Sequence, residues 1–192
     1  MEQRLKQALS QRRKQRLVDA SRVPSAVLIP VYYKDGEYYI LFTKRTDTVK
    51  DHKGQISFPG GAYEEQDGTL VNTCLRECAE EIGLPAEAVE LLGELDDLPT
   101  TTSNYVISPF VAVIPWPCSF KVDPKEVEEI IEVPLSALLD KDCLHQATEI
   151  IDGQVVNKYE YHYQGRIIWG ATARILNQFL GIVSQVMNNT GE

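Results

Sequence analysis

The chain lacks any uninterrupted apolar stretch of 18 residues, so it offers no candidate for a membrane-spanning helix. No apolar core follows the N-terminal charges, as a secretory signal requires. Cysteine is scarce: Cys74, Cys78, Cys118 and Cys143 form no Cys-x-x-Cys pair and keep no zinc-type spacing with histidine, which argues against a zinc site or a disulfide framework. The four thiols are expected to be small buried apolar residues in a reducing, cytoplasmic setting. Basic residues are in deficit, 19 Lys and Arg against 28 Asp and Glu, for a formal charge of −9. A surface of that sign argues against general nucleic-acid or membrane binding, which needs a basic face. A small anionic substrate stays compatible with it if a metal ion intervenes.

What is present suits one globular domain: 192 residues, 43% of them hydrophobic, can build a sizeable core. The charge is uneven. Residues 1–22 carry seven bases (Arg4, Lys6, Arg12, Arg13, Lys14, Arg16 and Arg22) against Glu2 and Asp19, so this segment is +5 and the remainder −14. "EQRLKQALSQRRKQRLVDA" reads as a solvated helix with a thin apolar stripe of Leu5, Leu9, Leu17 and Val18, a basic N-terminal helical extension over 1–22. A transit peptide is the alternative, weakened by the shortage of serine.

Further along, "SAVLIPVYY", "KDG" and "EYYILFTKR" read as a hairpin. Residues 46–57 have no strong period and read as a loop entering a short strand, broken by Pro59-Gly60-Gly61. A helix is predicted from about Thr69 to Ile82, ended by a left-handed Gly83 and by Pro85. "YVISPFVAVIP" is another strand. "DPKEVEEIIEVPLSALLD" mixes a strand with a helical turn, "YEYHYQGRIIWG" is a second hairpin, and "ATARILNQFLGIVSQVM" is an amphipathic helix. Strands outnumber helices without alternating regularly, which places the chain in the α+β class, a mixed α/β/α sandwich.

The predicted central helix carries the most informative residues. With Glu77 at zero on a helical wheel of about 100° per residue, Glu80 falls at about 300° and Glu81 at about 40°. Val71, Leu75, Cys78 and Ile82 fall together at about 100–160°, so the helix is expected to bury that face and to aim its three acids outward from the other. Hard oxygen ligands clustered in this way suit Mg²⁺ or Mn²⁺. A solvated acidic face is the plain alternative for such a cluster. Gly60 and Gly61, which let backbone approach a ligand, and Arg76, within an i,i+4 contact of Glu80, favour a metal-diphosphate site.

These residues resemble the signature of the Nudix hydrolases, G-x5-E-x7-R-E-U-x-E-E-x-G-U with U aliphatic. "RECAEEIGL" from Arg76 to Leu84 matches its second half, with Cys78 at the first aliphatic position, and Gly60-Gly61 matches the opening. Fourteen residues rather than the usual thirteen separate Gly61 from Arg76, which puts Gly68 at the isolated Glu of the signature and Asp67 beside it as a substitute. Upstream, "LFTKRTDTVKDHKGQISFPGG" resembles L-L-T-x-R-[SA]-x3-R-x3-G-x3-F-P-G-G, the pattern of the coenzyme A pyrophosphatase branch. Leu41, Thr43, Arg45, Gly54, Phe58, Pro59, Gly60 and Gly61 fit, and Phe42, Thr46 and Lys50 depart by related residues. That branch shares the one-residue insertion.

The resemblance, spanning roughly residues 24–180, implies a Nudix domain over 23–192 with a central mixed sheet between helices. It implies hydrolysis of coenzyme A, or of acyl or oxidised forms, to 3′,5′-ADP and 4′-phosphopantetheine. Glu77, Glu81 and Glu80 are the candidate ligands of Mg²⁺ or Mn²⁺, and Glu80, Glu81 and Arg76 the candidate catalytic residues. Arg45, Lys50 and Lys53, with Gly60 and Gly61, are the candidates for substrate contact. The general base stays open among Glu80, Glu126, Glu129 and Glu149. His52, His145 and His162 read as isolated structural or surface residues, and Tyr32, Tyr33, Tyr38 and Tyr39 as core residues, one of which could stack on adenine. The partner expected is a coenzyme A-like small molecule, with homodimerisation left open. A different Nudix specificity (ADP-ribose, dinucleotides or nucleoside triphosphates) and a non-catalytic nucleotide-binding module are the competing readings.

Overall fold

A computed structural model describes residues 1–47, 54–101, 103–151 and 154–188. Helix α1 (Glu2–Gln11) opens the chain. Strands β1 (Val23–Lys34) and β2 (Glu37–Arg45) form the expected hairpin, paired from Val31↔Ile40 to Lys34↔Glu37. The short strands β3 (Ile56–Ser57) and β4 (Gly60–Ala62) lead into α2 (Leu70–Ile82). Then come β5 (Glu90–Glu94), β6 (Leu98–Pro99), β7 (Tyr105–Val113), β8 (Val127–Pro134) and α3 (Leu135–Leu139). Strands β9 (Leu144–Ile151), β10 (Gln154–Tyr163) and β11 (Arg166–Ile168) precede the long helix α4 (Gly170–Asn188).

β1 organises the main sheet. Along one edge it pairs in parallel with β7 over nine positions, Val23↔Tyr105 to Val31↔Val113. Along the other it splits its partners, β2 at its C-terminal half and β4 at Ser25–Val27, both antiparallel. β2 carries β3 and β8, and β7 carries β5 and β6, so the sheet is mixed. Because side chains alternate across a strand, β1 serves two cores. Ile29 and Val31 join Leu5, Leu9, Phe42, Leu176, Phe179 and Val183 on the face covered by α1 and α4, whereas Ala26 and Leu28 join Cys74, Cys78, Ile82 and Leu84 on the α2 face. β9, β10 and β11 make a separate antiparallel sheet against α4, where Tyr161 donates a hydrogen bond to Asn177.

The termini of α2 follow their local chemistry. Thr69 accepts from the Asn72 N–H as N-cap, Gly83 takes φ 69° and ψ 23°, and Leu84 N–H closes onto Cys78 C=O. α4 buries Thr172, Ile175, Leu176, Phe179, Val183 and Val186 at helical spacing. Tyr32 is buried and stacks on Trp116, 4.9 Å between centroids, while Tyr33 is exposed. Of the four cysteines, Cys118 departs from expectation in being only half-buried.

The N-terminal expectation needs a larger correction. The helix stops at Gln11, and residues 12–18 carry no helix. Leu5 and Leu9 are not a solvated stripe but full members of the α4-side core. Leu17 and Val18, the other half of that stripe, are exposed. The basic residues explain why the helix gives way. The acidic stretch Glu94–Asp97 takes Arg12 onto Asp96 (2.9 Å), Lys14 onto both Glu94 and Asp97 (2.9 Å each), and the backbone N–H groups of Gln15 and Leu17 onto Asp96 and Asp97. Tertiary ion pairs and backbone bonds to β5–β6 replace helical ones. β5 and β9, which carry no strong alternation, were not distinguishable in the sequence.

Leu9→Ala should therefore destabilise the protein by about 2–5 kcal/mol in a denaturant titration, the usual cost of a truncated core leucine. Val18→Ala should change stability by less than about 0.5 kcal/mol. A negligible effect at Leu9 would restore the solvated-extension reading.

Candidate active site

Pro59-Gly60-Gly61 brings the α2 helix unusually close to a strand. The Pro59 carbonyl accepts from Leu28 N–H, and β4 then lies along β1 with Gly60 opposite Val27 and Gly61 opposite Ala26. Gly60 has φ 151°, and a Cβ there would overlap the Ala26 carbonyl. At Gly61 the volume that a Cβ would need is filled by the Glu77 carboxylate. Gly60 has no room for a side chain against that backbone, and at Gly61 a side chain would displace the Glu77 carboxylate.

Into this gap points Glu81. Its side chain is 4% exposed, Oε2 accepts from the Gly60 N–H at 3.2 Å, and Oε1 stands 3.8 Å from Arg45 Nη1. The acids of α2 thus do not lie on one outward face as expected. The wheel angles hold, but β4 covers part of the polar face because two glycines leave room. Glu81 is buried, Glu77 is mostly covered at 15%, and Glu80 alone projects outward at 59%.

Arg76 ties the cluster together. Its Nε and Nη2 donate to the two oxygens of Asp67 at 2.8 and 3.1 Å, and Nη2 also donates to the Ala62 carbonyl at 3.1 Å. Its Nη1 faces Glu77 Oε1 at 2.9 Å and Glu80 Oε2 at 3.0 Å. Asp67 accepts further from Thr73 Oγ1 and the Glu64 N–H. Hydrogen bonding from Arg76 holds the Asp67 carboxyl well below the ordinary carboxylate range and pushes the guanidinium up in return. The short turn Glu65–Asp67 thus presents an aspartate that grips the signature arginine; all the bonds found for its carboxylate run to Arg76, Thr73 and Glu64.

Burial pushes Glu81 up to about 8, with Gly60 N–H and Arg45 opposing and the charges of Glu77 and Glu126 adding. Burial also raises Glu77, against the pull of Arg76. Among the described residues no three His, Cys, Asp or Glu side chains form a ready cage for a metal ion. What the site offers is two hard, under-neutralised carboxylates, Glu77 and Glu81, a donor set suited to Mg²⁺ or Mn²⁺ completed by water and phosphate oxygens.

Of the other candidates, Glu129 is held by Arg166 at 2.5 Å and Glu149 by Lys158 at 2.6 Å. Glu126 is exposed and its charge acts on both Glu77 and Glu81. Lys50, Lys53 and His52 lie outside the described residues. His145 and His162 are not isolated but face each other, 4.0 Å between ring centroids, away from α2 on the β9–β10 sheet. Sequence reasoning missed one support. The segment before β8 caps the site helix, with Lys121 N–H on Ile82 C=O and Asp123 N–H on Glu81 C=O. Backbone bonds of this kind leave no residue-type signal.

A raised carboxyl favours the fold most below its ordinary value of 4.5 and loses that contribution as pH rises through about 8. Asp67, with its lowered value, acts in the opposite direction and at acid pH. Between about pH 6 and pH 9 the melting temperature of metal-free protein should fall, and Glu81→Gln should flatten that fall. Parallel slopes for the two proteins would show that Glu81 is not the titrating group.

With the site in place, likeness to known proteins is informative. A model of the NUDIX domain family matches residues 22–153. The Uncharacterized Nudix hydrolase NudL of Photorhabdus laumondii is 38% identical over 163 residues, 85% of this chain and 86% of that protein. In fold, the MutT/nudix family protein from Enterococcus faecalis superposes with TM-score 0.59 at 15% identity, over 92% of this chain and 70% of that one. The NUDIX domain of Shewanella oneidensis NrtR, solved with ADP ribose, superposes with TM-score 0.51 at 19% identity, over 63% and 78%. No helix among the described residues is long and apolar enough to cross a membrane. On the match along two thirds of its length, the mixed sheet and the Gly60-Gly61 turn packed on an Arg76–Glu81 helix, the chain belongs to the Nudix hydrolase family.

Proposed function

We propose that the protein hydrolyses the diphosphate linkage of coenzyme A, or of its acyl or oxidised derivatives, in a reaction that depends on Mg²⁺ or Mn²⁺ and yields 3′,5′-ADP and 4′-phosphopantetheine or its acyl form. One observation carries this reading. Arg45 and Gly60, both residues of the upstream motif, approach the same buried carboxylate, that of Glu81, from two directions. Two residues of the motif that marks the coenzyme A branch thus meet at the acid proposed to hold the cation, which supports this specificity.

Glu77 and Glu81 would hold the cation, with Glu80 reaching it through water. When bound, the cation neutralises the diphosphate oxygens and lowers the pKa of the attacking water. Proton and cation compete for Glu81, so its raised pKa couples metal loading to pH. Arg76, itself held by Asp67, fixes Glu77 and Glu80 in place. Arg45 supplies a planar fork for phosphate oxygens, and the N–H groups around Gly60 and Gly61 let substrate approach the backbone. Among the four acids open to the base role, Glu80, Glu129 and Glu149 are each drawn onto an arginine or lysine, which favours Glu126 for accepting the proton from water. Lys50 and Lys53 complete the proposed substrate contacts.

The deciding experiment identifies products after incubation with Mg²⁺ or Mn²⁺ and a panel of coenzyme A, acyl-coenzyme A, NADH and ADP-ribose. 3′,5′-ADP from the coenzyme A compounds is the expected outcome; turnover of ADP-ribose or NADH alone would replace this specificity with another. Glu77→Gln and Glu81→Gln should each lower kcat by on the order of 100-fold or more while the protein still folds. Mg²⁺ or Mn²⁺ should raise the melting temperature by mass action, a shift that chelation removes. Full activity in excess chelator, with no metal retained through purification, would contradict the cation's role.

A further inference from the structure

Two arginines serve the α2 acids, and they are used very differently. Arg76 is saturated, with acceptors at 2.8–3.1 Å on Asp67, Ala62 and Glu80. Arg45 is not. Its Nη1 stays 3.8 Å from Glu81, beyond hydrogen-bond reach, and its Nε is buried with no acceptor among the described residues. A buried donor left unmade costs free energy, so a pair selected only for structural stability would have closed.

The backbone does not allow Arg45 to drift away. Its N–H donates to the Gln55 carbonyl, its own carbonyl accepts from Gly54 N–H, and the β2–β8 register shifts between Lys44 and Arg45. A shift of register re-aims the side chain at such a position. Arg45 is thus held firmly by its main chain and loosely by its guanidinium, beside a carboxylate that a divalent cation would also claim.

Building on the proposed cation site at Glu77 and Glu81, we propose that Arg45 is an exchange residue. In the metal-free protein it is the stand-in counter-ion of Glu81; once a divalent cation is loaded, the guanidinium is repelled from that carboxylate and turns its Nε/Nη fork to a diphosphate oxygen pair. The same cation that neutralises the acids then frees the group that grips the anion. Two cations cannot both be drawn fully onto one buried carboxylate, and a fork with an unmade N–H is suited to bidentate phosphate contact. The exchange couples cation and anion binding positively, and reciprocally.

The test uses full-length wild type, R45Q, R45K and E81Q, without coenzyme A, so that it does not depend on substrate identity. Mg²⁺ is titrated calorimetrically at about pH 9, where protonation of Glu81 does not mask the comparison. Methylenediphosphonate is then titrated onto the Mg²⁺-saturated proteins. R45Q, lacking the competing charge, should bind Mg²⁺ several-fold more tightly than wild type yet bind methylenediphosphonate about ten-fold or more weakly. R45K, which keeps the charge and loses the fork, should retain wild-type Mg²⁺ affinity and share the loss for the diphosphonate. Weaker Mg²⁺ binding by R45Q, with or without a change in diphosphonate affinity, would make Arg45 a static support of Glu81 and overturn the exchange. If wild type shows no Mg²⁺ binding that E81Q removes, the cation site itself fails and the exchange falls with it.

Discussion

The close approach of one helix to one strand governs this molecule. A helix normally stands off a strand by the thickness of two side-chain layers, but Gly60 and Gly61 contribute none, so the α2 carboxylates reach the β4 backbone directly. Everything distinctive at the site follows from that distance. Glu81 loses its water, meets a peptide N–H, and becomes an acid whose ionisation needs help. Glu77 occupies the volume of an absent methyl group.

Keeping three acids within one and a half helical turns also requires something to stop them from repelling the helix apart. Arg76 does this by contacting Glu77 and Glu80 together, and it is itself oriented by Asp67, which is buried and bonded on both oxygens. Orientation therefore flows from the short turn Glu65–Asp67 to Asp67, then to Arg76, then to the acids. The family resemblance marks the arginine and the glutamates and offers Asp67 as a substitute; the structure adds what that aspartate does, which is to aim the arginine.

Much of the fold was legible in the sequence because it depends on local signals. The Asp35-Gly36 turn between two dense apolar runs, the Thr69 cap with Gly83 and Pro85 after α2, and the periodic apolar face of α4 each state their element within a few residues. The site was legible in its membership, since Arg76, Glu77, Glu80 and Glu81 share a helix, but not in its depth. A wheel assigns directions around an axis; whether a direction leads to water depends on what is packed there, and two glycines on another strand decide that. The same limit misplaced residues 12–18. Their helix-compatible composition says nothing of the acids at 94–97, which arrive about eighty positions later and take the basic side chains for themselves.

The seating of α1 has a consequence for how the chain is made. Leu5 and Leu9 pack in a core completed by Leu176, Phe179 and Val183, and Arg4 donates to the Val186 carbonyl across 182 positions of sequence. A nascent chain leaving the ribosome emits α1 well before α4, so the apolar side of α1 has no finished partner until α4 has been made. Contacts of such long range delay completion of the native state and leave sticky surface on display meanwhile. Residues 4–16 beside that surface carry six bases and no acid, a density of like charge that opposes association of exposed apolar surface.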